Sequence, residues 1–301
     1  MSVQITEREY KNFGKCVFLE NGLMSVGITV EVGPRVIYCA LKGRENVFFE
    51  DTERRFTEKV EGGGEWVNYG GHRLWCAPEV NPETYSPDNT PVEYKVTGNT
   101  VTVTPPATSF GKAFSMEVTL DDERPVVSVT HRIRNVSDSP AKYAAWAISG
   151  MCAGGVEKIP LSTAKTGYLG NRTFALWDYS DIKDPRFDMD NDCIRLRQDE
   201  FMKNPFKIGV NVDEGFAAYG VNRQIFVKTV PEYRHTEYPD FACNFESYTN
   251  HMFLECENIG EYREYAPGEE AVLAEKWYII DNPDNDEPVL ERIRAELERN
   301  Q

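Results

Sequence analysis

From Cys16 to Ile280 the chain repeats one pattern: short runs of β-branched and aromatic residues, each cut off by turn residues. CVFL and LMSVGITVEV flank Glu20-Asn21-Gly22, an Asn-Gly hairpin signal, and Gly98-Asn99 splits the runs at 92–97 and 100–104. Further strands are expected at 34–41, 114–120, 126–135, 141–149, 206–212, 215–221, 224–230, 245–257 and 271–279. Only 288–301 reads as a helix, with Val289, Ile293 and Leu297 at i, i+4, i+8 and Leu290 beside them. Loop-rich stretches fall at 50–70, 76–91, 160–205 and 231–244, but the strand grammar is the same on both sides of each. The reading is all-β: one large sandwich spanning 1–301 as a single domain, closed by a short C-terminal helix.

Composition narrows what such a sandwich can do. Hydrophobic residues make up 41% of the 301, enough for a large core. Basic residues number 33 and acidic residues 49, a net charge of −16, so nothing would neutralise a nucleic-acid backbone or an anionic membrane. No apolar run reaches the ~18 residues of a membrane helix, and the N-terminus shows no leader pattern. Seven scattered cysteines without a CxxC pair suit reduced, buried thiols. The expectation is a cytoplasmic protein with a small-molecule partner, no nucleic acid and no membrane.

Most catalytic signatures are missing. GxSxG, P-loop, GxGxxG and HExxH do not occur, and the four histidines (72, 131, 235, 251) have no zinc spacing. Asp188, Asp190 and Asp192 approach a calcium-loop spacing, but Cys193 stands where that loop needs glycine, so a solvated turn is the better reading. No metal or cofactor is expected. Two segments remain. Residues 61–89 pack Trp66, Tyr69, Trp75 and Tyr85 around five glycines and His72; aromatic planes beside polar side chains suit a sugar, though a glycine-rich loop with core aromatics would look the same. On a strand over 240–257, alternation would put His251, Phe253, Glu255 and Glu257 on one face, the floor of a site or a solvated exterior.

Three stretches carry a family resemblance: GPRVIYCALKGRENVFFED (33–51), VTHRIRNVSDSPAKYAAWAISG (129–150) and NFESYTNHMFLECENIGEYREYAPGEEAVLAEKWYII (244–280). In order and spacing they resemble the early strand pair, the mid-chain turn and the ending of the galactose mutarotase-like (aldose 1-epimerase-like) superfamily, nearest its DUF4380-like branch. The resemblance implies a β-supersandwich of two large, mostly antiparallel sheets with a sugar cleft on one face. It implies cofactor-independent interconversion of aldose anomers, in which a base takes the anomeric proton and an acid protonates the ring oxygen.

Carried onto this chain, the family's catalytic glutamate falls on Glu255, and its first histidine on His72 of YGGHRLW. The second family histidine, the principal acid, has no counterpart: AAWAIS puts Trp146 near its place. Catalysis is therefore assigned to Glu255 and His72, and sugar binding to Arg35, Tyr69, Arg73, Trp75, Trp146 and His251, the arginines suiting hydroxyls or an acidic substituent. Three readings stay open: a mutarotase-like isomerase acting on a free or acidic sugar, a non-catalytic carbohydrate-binding protein, and a lyase or hydrolase.

Overall fold

The computed structural model describes residues 2–61, 64–167, 169–233, 237–284 and 287–299. Two large antiparallel sheets face each other. From edge to edge the first runs Gln4–Glu9, Lys15–Glu20, Met24–Thr29, Val36–Leu41, Gly71–Ala77, Ala141–Met151, Leu254–Ile259, Phe245–Thr249, Phe206–Val210 and Phe174–Leu176, with Arg263–Tyr265 also on Ala141–Met151. The second runs Phe187–Met189, Cys193–Arg197, Val156–Pro160, Phe216–Val221, Gln224–Thr229, Glu270–Asp281, Val126–Asn135, Lys112–Leu120, Thr100–Thr104 and Glu93–Thr97. A small hairpin, Thr57–Lys59 with Glu65–Val67, stands apart from both.

Alternation decides which side chains fill the space between the sheets. Met116, Val118 and Leu120 point inward along one strand, while Glu117 on the outer side is 3.8 Å from Arg132. Leu254 and Cys256 do the same in the first sheet, opposite Phe226 and Trp277 in the common core. The helix Leu290–Arg299 lays Leu290, Ile293 and Leu297 on the outer face of the second sheet, against Phe216, Ile225 and Tyr278. Val289, expected in that stripe, is 48% exposed, because the helix begins one residue later.

Three local differences from the sequence reading bear on the site. The expected strand 245–257 is a hairpin: Asn250 Oδ1 accepts the Met252 and Phe253 amides at 2.7 and 3.2 Å, and that turn separates the two strands. The suspected loop contains a central strand, Gly71–Ala77. It is entered through Gly70 and Gly71, at φ +90° and +68°, where a Cβ would sit 2.1 Å from the Phe49 carbonyl oxygen and 2.4 Å from that of Val36; only glycine passes there. The acidic stretch forms a turn in which Asp190 Oδ1 caps the amides of Asp192 and Cys193. Among the described residues no helix is long and apolar enough to cross a membrane.

Candidate functional site

Two polar groups occupy opposite faces of the first sheet. The register pairs His72 with Ser149, Arg73 with Ile148, and Trp75 with Trp146; on the other side Gly150 faces Glu255 and Ile148 faces Glu257. His72 and Ser149 therefore point between the sheets. Arg73, Trp75, Trp146, Glu255 and Glu257 point outward.

The inward group is a hydrogen-bonded chain that crosses the core. His131 Nδ1 lies 2.9 Å from the Leu273 carbonyl oxygen, which can only accept, so this nitrogen carries the proton and Nε2 is the acceptor. His72 Nε2 then donates to it at 2.7 Å, and His72 Nδ1 accepts from Ser149 Oγ at 2.8 Å. Lys228 Nζ donates to Ser149 Oγ, Ala147 O and Cys256 O at 2.8–3.0 Å. Glu275 takes the Trp277 indole on one oxygen and the Asn258 amide on the other, at 2.7 and 2.6 Å. None of these side chains meets solvent. Burial, followed by the charge of Lys228, holds His72 far below the ordinary imidazole range, and burial lowers His131 as well. His72, His131 and Glu275 bring ligand-type atoms within 4.8 Å of one another, yet each of those atoms already has a hydrogen-bond partner.

The outward group is different in kind. Arg73 pairs with Glu255 at 3.0 Å and lies over the rings of Trp75 and Trp66, at 4.2 and 5.6 Å. Lys207 joins Glu246 and Glu257, at 2.7 and 3.1 Å, and lies 4.7 Å from the ring centres of both Trp146 and Trp177. The Trp146 indole donates to Glu257 at 2.8 Å. Trp75 touches Trp66, Tyr85 and Trp146 edge-on or tilted, so the charges lie along a continuous aromatic wall. Burial, opposed by Lys207, lifts Glu246 to about 8 and raises Glu257. Burial alone would lower Lys207, but the two carboxylates hold it above its ordinary range. Glu246 Oε1, Glu257 Oε1 and Arg73 Nε are buried without a hydrogen-bond partner. Of the three carboxylates, Glu255 keeps 10% of its side chain exposed, against 0–1% for the others.

The sequence-derived residues thus divide. Glu255, Arg73, Trp75 and Trp146 come together on the outward face. His72 does not: alternation turns its ring into the core beside His131. Arg35 is 2% exposed and clamps Asp88 at 2.5 Å and the Asn68 and Pro34 carbonyls, which ties strand ends together. Tyr69 packs with Phe13, Phe18 and Ile37 and donates to Asn89 Oδ1, away from the carboxylates. His251 sits in the hairpin turn, not on a strand face, with its Nδ1 buried and unpartnered. His235 lies outside the described residues. Lys207, Glu246 and Trp177 were not anticipated, although an ionisable residue inside FKIGV and another inside FES signal a strand whose outer face is more than a solvated exterior.

Neither a protein-family model nor a curated protein matches the chain. Solved structures do, at the level of fold. A TPR-domain containing protein from Parabacteroides distasonis superposes with TM-score 0.62 at 15% identity over 90% of this chain, which spans only 48% of that protein. A galactose mutarotase-like protein from Lactobacillus casei gives 0.55 at 12% identity, covering 88% of this chain and 99% of that one. A galactose mutarotase-like protein from Clostridium acetobutylicum gives 0.52 at 12% identity, over 93% and 99%. The chain shares the sandwich fold of these proteins.

Proposed function

We propose that the outward face of the first sheet binds an aldose and interconverts its anomers without a cofactor. The observation that carries this reading is the combination of a solvent-reachable carboxylate, Glu255, with buried, unpartnered polar atoms along an aromatic wall. Such a wall takes the C–H face of a sugar ring, and the unpartnered groups take its hydroxyls.

In the proposed reaction Glu255 accepts the proton of the anomeric hydroxyl, held in place by Arg73. The C1–O5 bond breaks as C1 becomes a carbonyl, O5 takes a proton from a solvent water, and the protonated Glu255 returns its proton to the hydroxide so formed, which restores the carboxylate. Rotation about C1–C2 and the reverse steps give the other anomer, with no net change in atoms. His72 has no part in this, since its ring is in the core. Lys207 supplies the positive charge that stabilises O5 as the bond breaks, a role that a histidine from another position has in the resembling family.

A second reading, sugar binding without turnover, is favoured by one observation: Trp146 stands where the resembling family has its acid, and its indole is occupied by Glu257. Saturation-transfer NMR of anomer exchange separates the two. Losing a general base costs ~10²–10⁴-fold in rate, so Glu255→Gln is expected to abolish exchange while sugar still binds. Equal exchange rates in both proteins, with binding intact, would leave the binding reading alone.

A further inference from the structure

The strands Val36–Leu41 and Gly71–Ala77 share one pairing, Val36 with His72. Beyond it the chain segments Gly33–Arg35 and Leu74–Cys76 diverge, and the sheet opens. The gap is a cavity of about 290 Å³, floored by Phe114–Met116 of the second sheet and covered by the loop 83–88. That loop is two-sided: Thr84 and Ser86 line the cavity, while Tyr85 between them packs on Trp66 and Trp75 of the outward face. Trp75 lines the cavity as well, and so forms a wall common to both spaces.

We infer that this cavity is a second binding site, for a neutral, ring-sized and mostly apolar molecule carrying one hydroxyl. The inference does not rest on the sugar reading. Size admits one ring, at the lower end of the ~300–1,000 Å³ typical of small-molecule sites. Apolar side chains such as Pro34, Trp75, Pro87, Pro106 and Phe114 alternate in the lining with hydroxyl and paired charged ones. Charge is already compensated: Arg35 is committed to Asp88, and Glu83 to Lys112, so an anion would find no free cation. Among its charged groups Asp88 Oδ1 is buried and unpartnered, next to a lining that also presents the Thr84, Ser86 and Ser115 side chains. A buried acceptor without a donor is costly, and a ligand hydroxyl relieves that cost.

Fluorine NMR titration of the full chain tests this with three probes: 4-fluorophenol, 4-fluoroanisole and 4-fluorobenzoate. Saturable binding of the phenol is expected, with intermolecular contacts to Trp75 and Phe114. The anisole, lacking the donor, should bind about fivefold more weakly or worse, and the benzoate not at all. Leu74→Trp fills the cavity and should remove phenol binding. Thr90→Trp, at an exposed rim position, blocks the entrance and serves if the first variant does not fold. Absence of saturable phenol binding, binding that survives a folded blocking variant, or benzoate bound as tightly as phenol would each overturn the assignment.

Discussion

His72 and Arg73 are adjacent in the chain, yet they belong to two different kinds of polar cluster. Inward, the Lys228–Ser149–His72–His131 chain places every proton and Glu275 is satisfied on both oxygens, although Asn258 Oδ1, Ser247 Oγ and both Glu157 oxygens are buried without a partner. Outward, Glu246, Glu257 and Arg73 each keep a buried atom without a partner. Unpartnered atoms occur on both faces, so the distinction is access: the inward chain is sealed and ties the sheets together, whereas outward Glu255 keeps 10% of its side chain exposed and can meet a ligand. The difference is a better guide to the site than the presence of histidines, which all but one of the described three place in the core.

The largest effect should come from the closed side. Lys228→Met removes a buried ammonium whose three donors are all used and leaves Glu275 short of its counter-charge. Loss of one partner of a buried pair costs ~3–5 kcal/mol; chemical denaturation should read that loss while sugar affinity of the folded protein stays unchanged. A variant as stable as the parent would mean that the inward network contributes nothing to sheet docking. Next comes Arg73→Met on the open side. Glu255 still reaches water, so the stability cost should be about 1–2 kcal/mol, but sugar binding should weaken by about tenfold, the effect of one lost charge-assisted contact. Calorimetric titration showing undiminished binding would remove Arg73 from the site.

The same contrast explains what was legible beforehand. Strands such as Lys112–Leu120 and Glu270–Asp281 alternate apolar with polar residues and are readable directly. Gly71–Ala77 does not, because its inward positions include His72 and its outward ones Trp75: the network inverts the usual assignment of polar to outside. Glu275 and Trp277 stand two apart on the last long strand, but that their side chains share one interior bond is shown only by the fold. Glu255 and Glu257 fell correctly on one face opposite Leu254 and Cys256, since period 2 survives inside the hairpin. His251 did not, because the Asn250 turn breaks the count. Arg35 and Tyr69 serve contacts away from the carboxylates, which only packing reveals.

The smallest expected effect is on pH dependence, where the buried histidines and the buried Glu246 should pull in opposite directions. His72 and His131 have folded pKa values below 6.5, so the unfolded chain binds their protons first; the stability they allow is full above pH 6.5 and is lost as pH falls below it. Glu246 is raised from 4.5 to about 8, so the folded protein holds that proton longer than the unfolded chain; its contribution is present below pH 4.5 and is lost as pH rises from 4.5 toward 8. A single site accounts for at most about 1.4 kcal/mol per pH unit. Glu246→Gln carries no titrating proton, so between pH 7 and 8 its unfolding free energy should decline less steeply than the parent's, while the acid limb below pH 6.5 keeps its slope. Denaturant unfolding at half-unit pH steps measures both limbs. Parallel curves on the alkaline side would show that Glu246 is ionised throughout, beside a fully charged Lys207. An altered acid limb would show that the two faces of the sheet are coupled rather than separate.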